Sequence, residues 1–215
     1  RAWTPNALDN YDLIFCVGKY HNEEIRKLEK FNKSKTKKLI NSGYLYFDYL
    51  KKNCDLKSCE NAILIAPSWN YSKENFFERN CFNLIKNLLK ENLRVILRPH
   101  PEHFIRSKST IDKINDEFSD NINFLLDTKF NNIDSMNKSE ILITDCSGIA
   151  PEFLFIYKRP IIYFDNYARI HNENFAKINP ITFEDKFKKI FGYTFNSNLN
   201  EFNINTIAEA KKEFV

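Results

Sequence analysis

Glycine is scarce in this chain, with four in 215 residues, and no G-K-[ST] occurs. A Walker A phosphate loop is therefore excluded. No G-x-S-x-G elbow is present, and no dinucleotide fingerprint. P-loop kinase, serine hydrolase and simple dehydrogenase chemistries lose their usual signatures. Long hydrophobic runs are also missing. The apolar runs, such as 153–157 and 161–164, are a few residues each, against the ~20 that a membrane-crossing helix needs. No signal peptide opens the chain, and Arg1 stands where a start methionine would be, so we expect a segment of a longer protein. The cysteines are five, Cys16, Cys54, Cys59, Cys81 and Cys146. Their number is odd, no C-x-x-C spacing links them, and Cys16 and Cys81 fall in apolar patterns. This is a reduced, cytosolic profile, neither a disulfide framework nor a zinc site.

What is present suits a globular α/β protein. Hydrophobic residues make up 43% and aromatics 15%, enough for a core and too much for disorder. The length fits one large domain or two small ones. The net charge of +4 is mild and does not call for nucleic acid. It is unevenly spread, since residues 26–38 hold seven basic side chains against one acid, Glu29. Two readings stay open there: a solvated helix end, or a patch for a polyanion or an anionic membrane surface.

Short apolar runs alternate with helical periodicity. Strands are expected at 12–18, 38–43, 62–69, 94–99, 121–126, 141–145 and 159–165. Helices are expected at 22–31, 44–53, 74–92, 102–118 and 147–157. The polar stretch 50–62 breaks the pattern as a linker would. It divides residues 1–57 from 58–215, and the tail from 166 is less legible. Apolar strands separated by helices imply a parallel sheet covered on both faces. Ligands of such sheets bind beyond the carboxyl ends of the strands. The groups "APSW", "RPHP" and "TDCSG" all fall at those ends.

The turn at Ser147 and Gly148 follows a strand and opens a helix. Free backbone N–H groups and the helix dipole favour phosphate there. Ser147 adds a hydroxyl, and Gly148 allows close backbone approach. Glu152 follows one helical turn later, placed to accept from ribose hydroxyls. The bland alternative is a capping serine and a surface acid. In "RPHPEH", Arg98 and His100 can bind phosphate oxygens, and His100 can protonate a leaving group. His100 and His103 make a bare H-x-x-H, weak as a metal signal without a third ligand. His21 and His171 have no motif around them and read as surface residues. Ser68 can donate to a phosphate, and Trp69 either packs or stacks on a base.

In this order and spacing, "APSWN", "RPHP" and "ILITDCSGIAPEFLFIYKRPIIYF" resemble the CDP-glycerol glycerophosphotransferases, which are teichoic-acid-polymerase-like. Residues 12–165 carry the resemblance. Cys146, Gly148 and Glu152 depart from that family's Tyr, Ser and Asp. They make "TDCSGIAPE" similar to the T-D-S-G-G-x-x-x-E of UDP-N-acetylglucosamine 2-epimerases, whose glutamate holds the ribose. "AWTPN" keeps a Trp, Thr and Pro of the family's acceptor-activating segment but has no histidine.

The resemblance implies a GT-B-like, Rossmann-type parallel sheet, mainly the C-terminal nucleotide-binding lobe, after the end of an N-terminal lobe in residues 1–57. It implies His100 as the catalytic residue. It implies Ser68, Arg98, Asp145, Ser147, Gly148 and Glu152 at the nucleotide and diphosphate, with no metal and no cofactor. The implied partners are CDP-glycerol or a related donor and an anionic surface-polymer acceptor, with no nucleic acid. The implied place is the cytoplasm, with peripheral contact on the inner membrane face. A UDP-sugar glycosyltransferase or epimerase, and a non-catalytic nucleotide-binding module, are the alternatives.

Overall fold

In a computed structural model of the chain, residues 3–4, 6–70, 75–164, 172–180, 183–196 and 198–214 are described. The first unit runs β1 (Leu13–Cys16), α1 (Lys19–Asn32), β2 (Lys38–Asn41) and α2 (Tyr46–Asn53). Then come β3 (Ala62–Ile65), α3 (Phe82–Lys90) after a wide π turn at Phe77–Cys81, β4 (Val95–Leu97), α4 (Pro101–Arg106), α5 (Lys108–Phe118) and β5 (Phe124–Leu126). The chain continues through α6 (Ile133–Lys138), β6 (Ser139–Thr144), α7 (Ile149–Glu152) with a π turn at Phe153–Tyr157, and β7 (Ile161–Phe164). It closes with α8 (Phe175–Ile178), α9 (Phe183–Phe191), β8 (Tyr193–Phe195) and α10 (Ile204–Glu213).

Six strands form one sheet in the order β5-β4-β3-β6-β7-β8, and every pairing is parallel. Period-two alternation sends Ile63, Ile65, Ile141 and Ile143 into one core with Phe76, Phe77 and Leu84. It sends Ala62, Leu64 and Leu142 into a second core with Phe153 and Leu50. The strands read as unbroken apolar runs because both faces are covered. The order reverses between β3 and β6, which makes their carboxyl ends the topological switch point. β1 and β2 form a separate parallel pair. Cys16, Ile25 and Leu28 pack there against Ile178 of α8.

Four details differ from the sequence reading. The helix expected at 102–118 is two, because Ser107 leaves helical geometry at φ −124 and ψ 29. The helix expected from Ser147 begins at Ile149 and widens to a π turn. An eighth strand, β8, pairs with β7, and α6 stands where no helix was expected. After α2, Asp55 N donates to Asn137 Oδ1 at 3.0 Å and Glu60 N to Lys138 O at 2.8 Å, at the end of α6 that leads into β6. Asp165, at the end of the expected seventh strand, and His171 lie outside the described residues.

Candidate nucleotide site

The switch point is closed by a side-chain clamp. Asp145, just past β6, accepts from Ser68 N at 2.8 Å and from Ser68 Oγ at 2.6 Å. Both residues are buried. Ser68 Oγ also lies 3.2 Å from Cys146 Sγ. The clamp joins the two loops that form the crevice, so Ser68's amide and hydroxyl are both directed at Asp145. Next to it, Trp69 is buried, with the His100 ring stacked at 6.4 Å and the Arg106 guanidinium over its face at 5.5 Å. Its indole packs within the wall of the rim.

His100 caps α4. Its Nδ1 accepts from Glu102 N at 3.2 Å, while His100 N donates to His103 Nδ1 at 3.2 Å. Pro101 at the first helical position suits this start. With Nδ1 as acceptor, the neutral His100 ring carries its proton on Nε2. His103 is fully buried against Phe77, ring centroids 4.1 Å apart, and its Nε2 finds no partner among the described residues. Burial, aided by His100, pushes the His103 imidazolium down to a pKa of about 4. The H-x-x-H pair is thus a capping box. Among the described residues no group of three or more His, Cys, Asp or Glu converges as a metal site.

Arg98 follows β4. Its Nη1 donates to Asp127 Oδ2 at 2.6 Å and its Nη2 to Phe130 O at 2.9 Å. Asp127 also accepts from Ser135 Oγ and from Lys129 N. The guanidinium therefore braces the loop between β5 and α6. That loop ends at Asn132, whose Nδ2 donates to Glu152 Oε2 at 2.9 Å. Tyr44 OH donates to Glu152 Oε1 at 2.9 Å, and Tyr46 OH to Asn132 Oδ1 at 3.1 Å. Burial raises the Glu152 carboxyl above its usual range, opposed by the Tyr44 and Asn132 hydrogen bonds and the Arg98 charge. Burial and the Glu152 charge push the Tyr44 phenol up to about 12.

At the turn, Ser147 O accepts from Ala150 N at 3.3 Å. Gly148 has an ordinary helical φ of −64, and a Cβ there would meet nothing within 4 Å. Neither the backbone nor the packing of this protein requires a glycine at that point.

Arg98, His100, Asp145, Ser147, Gly148 and Glu152 therefore belong to the ends of β4 and β6, with Ser68 at the end of β3. Reading the sequence missed Tyr44, Tyr46, Asn132 and Asp127. Two of the seven basic side chains of the segment meet an acid, Arg26 and Lys35. Arg26 meets Glu29 at 2.6 Å, Lys35 meets Asp12 at 2.7 Å, Lys27 Nζ donates to Asn179 O, and Lys37 is buried. A cavity of about 490 Å³ opens beside Ile161, Tyr193 and Phe191. These residues mark the amino ends of β7 and β8, opposite the rim. No described helix is long and apolar enough to cross a membrane.

Residues 8–173 match the pattern of the CDP-glycerol:poly(glycerophosphate) glycerophosphotransferases. The chain belongs to this family. Solved structures with the same fold include the wall teichoic acid polymerase TagF, at 18% identity and a TM-score of 0.51, covering 98% of this chain and 53% of that one. The UDP-GlcNAc 2-epimerase of Methanocaldococcus jannaschii, in complex with UDP-GlcNAc and UDP, matches at 15% identity and a TM-score of 0.58, covering 93% and 54%. The S. aureus MnaA–UDP structure matches at 17% and 0.52, covering 94% and 51%. This member of the family thus spans about half the length of each solved structure it matches. No curated protein matches it. The sheet is the GT-B-like, Rossmann-type parallel sheet with helices on both faces that was expected.

Proposed function

We propose that the protein transfers glycerol phosphate, or a related alditol phosphate, from a CDP-activated donor to an anionic surface polymer. In this reading the described chain supplies the donor-nucleotide site. Family membership supports the reaction class. The observation that carries the site is Glu152, a buried carboxylate one turn beyond an unfilled glycine turn at the switch point.

In the proposed reaction an acceptor hydroxyl attacks the β-phosphorus of the donor. A P–O bond forms to the acceptor, the bond to CMP breaks, and CMP leaves with the electron pair. Ser147 and the amides that follow it donate to the diphosphate. Glu152 accepts from the ribose. His100 presents Nε2–H to the phosphate nearest the reaction and stabilises charge as CMP departs. Ser68 and Asp145 hold the two loops in register, and Arg98 orders the loop that carries Asn132. The residues that deprotonate the acceptor lie outside this set. A UDP-sugar glycosyltransferase or epimerase is the second reading, favoured by Gly148 and Glu152 and by the UDP-bound relatives of like fold.

Titration calorimetry separates the two. CDP-glycerol or CMP is expected to bind more tightly than UDP-N-acetylglucosamine, and the reverse order would transfer the proposal to the second reading. In the intact enzyme, His100→Ala is expected to lower turnover by roughly 10²- to 10⁴-fold. Undiminished turnover would remove His100 from the chemistry and leave it as a helix cap.

A further inference from the structure

The two oxygens of Glu152 are held in unlike ways. Oε2 accepts from Asn132, which is itself fixed by Tyr46 through Oδ1. Oε1 accepts from Tyr44, a residue 108 positions earlier in the chain. The Tyr44 side chain is 43% exposed, whereas Glu152 is 8% exposed. Its ring contacts are edge-on, to Tyr46 at 6.0 Å and Phe47 at 4.9 Å. Just before it, Gly43 sits at φ +70 with nothing near its missing Cβ, a conformation that glycine adopts without strain. A buried acceptor is therefore covered by a partly exposed tyrosine on a glycine turn between β2 and α2.

A phenolic O–H on a buried carboxylate is a neutral hydroxyl donor, as a ribose hydroxyl is. Resting on the nucleotide reading above, we propose that the Tyr44 hydroxyl occupies the place a ribose hydroxyl takes when the nucleotide binds. Binding then exchanges one hydroxyl for another at Oε1 and releases the connection between β2 and α2. Glu152 keeps a donor on both oxygens in either state, so its carboxylate never loses a partner. Asn132 stays throughout as a positioning residue. The nucleotide competes with Tyr44, and its apparent affinity is reduced by the fraction of molecules in which Tyr44 is engaged.

Tyr44→Phe removes the hydroxyl and keeps the ring. Calorimetry with CMP and with 2′,3′-dideoxy-CMP, on wild type and variant, reads the competition. Amide exchange over residues 42–53 reads the connection. CMP is expected to bind the variant about three- to tenfold more tightly, the value of one hydrogen bond. The dideoxy ligand is expected to bind both proteins alike. Exchange near Tyr44 is expected to rise in the ligand-free variant, and in wild type when CMP is added. Equal or weaker CMP binding by the variant would overturn the hydroxyl exchange while leaving the nucleotide site standing. Slower exchange near Tyr44 in CMP-bound wild type would do the same. No binding of CMP or UMP by either protein would overturn the nucleotide site, and this inference with it.

Discussion

At the scale of single residues, Gly148 and His103 make opposite predictions. Gly148 has ordinary backbone angles and open space around it, so Gly148→Ala is expected to change stability by no more than about 0.5 kcal/mol. Its added methyl would stand where the diphosphate approaches, and CMP affinity is expected to fall about tenfold or more. Equal affinity, measured by calorimetry, would place the phosphates elsewhere. His103 is a stability residue. Its ordinary value of 6.5 falls to about 4 in the fold, so between those values the unfolded chain binds the proton and the folded one does not. Stability from this residue is present above pH 6.5 and is lost as pH falls towards 4. Glu152 has the opposite sign, because its raised carboxyl favours the fold when protonated. Urea unfolding at pH 7 and pH 5 is expected to show a loss in wild type that is smaller in His103→Gln. An unchanged pH dependence in that variant would show that His103 does not carry it.

At the scale of elements, the loop between β5 and α6 depends on one buried ion pair. The Asp127 side chain is 4% exposed and meets Arg98 at 2.6 Å. Arg98→Met strands that carboxylate and is expected to cost about 3–5 kcal/mol. Adding Asp127→Asn is expected to recover part of the loss, which a double-mutant cycle of urea midpoints would read. Simple addition of the two losses would deny the coupling. This loop also marks where the sequence stops being legible. The strands ending in "APSW", "RPHP" and "TDCSG" announce themselves by apolar runs and proline or glycine stops, so the rim and its turn residues are readable. α6 does not, because it is six residues long with only Ile133 and Met136 as buried apolar side chains. β8 is three residues, too short for a periodicity. Tyr44 and Asn132 reach Glu152 from 108 and 20 residues away, and no local pattern encodes such a contact. Ser107 splits a helix whose apolar spacing continues on both sides of it.

At the scale of the whole molecule, the candidate site lies where two halves of the sheet meet. β3, β4 and β5 form one side and β6, β7 and β8 the other, joined by the β3–β6 pairing and the Ser68–Asp145 clamp. Asp145→Ala leaves the buried Ser68 amide and hydroxyl without that acceptor. It is expected to cost about 1–3 kcal/mol and to weaken CMP binding, because both crevice loops lose their tether. Full CMP affinity in a folded Asp145→Ala protein would show that the clamp does not shape the site.

The strand order also has a consequence for synthesis. β3 is complete at Ile65, but β6, its neighbour on one side, ends only at Thr144. As the chain emerges, the β3 edge that β6 will cover stays unpaired while about eighty more residues are made. It is an apolar run, and open edges of that kind recruit strands from other chains. A nascent chain arrested at residue 138 is thus expected to aggregate or hold a chaperone, and one arrested well past Thr144 to resist added protease across β3.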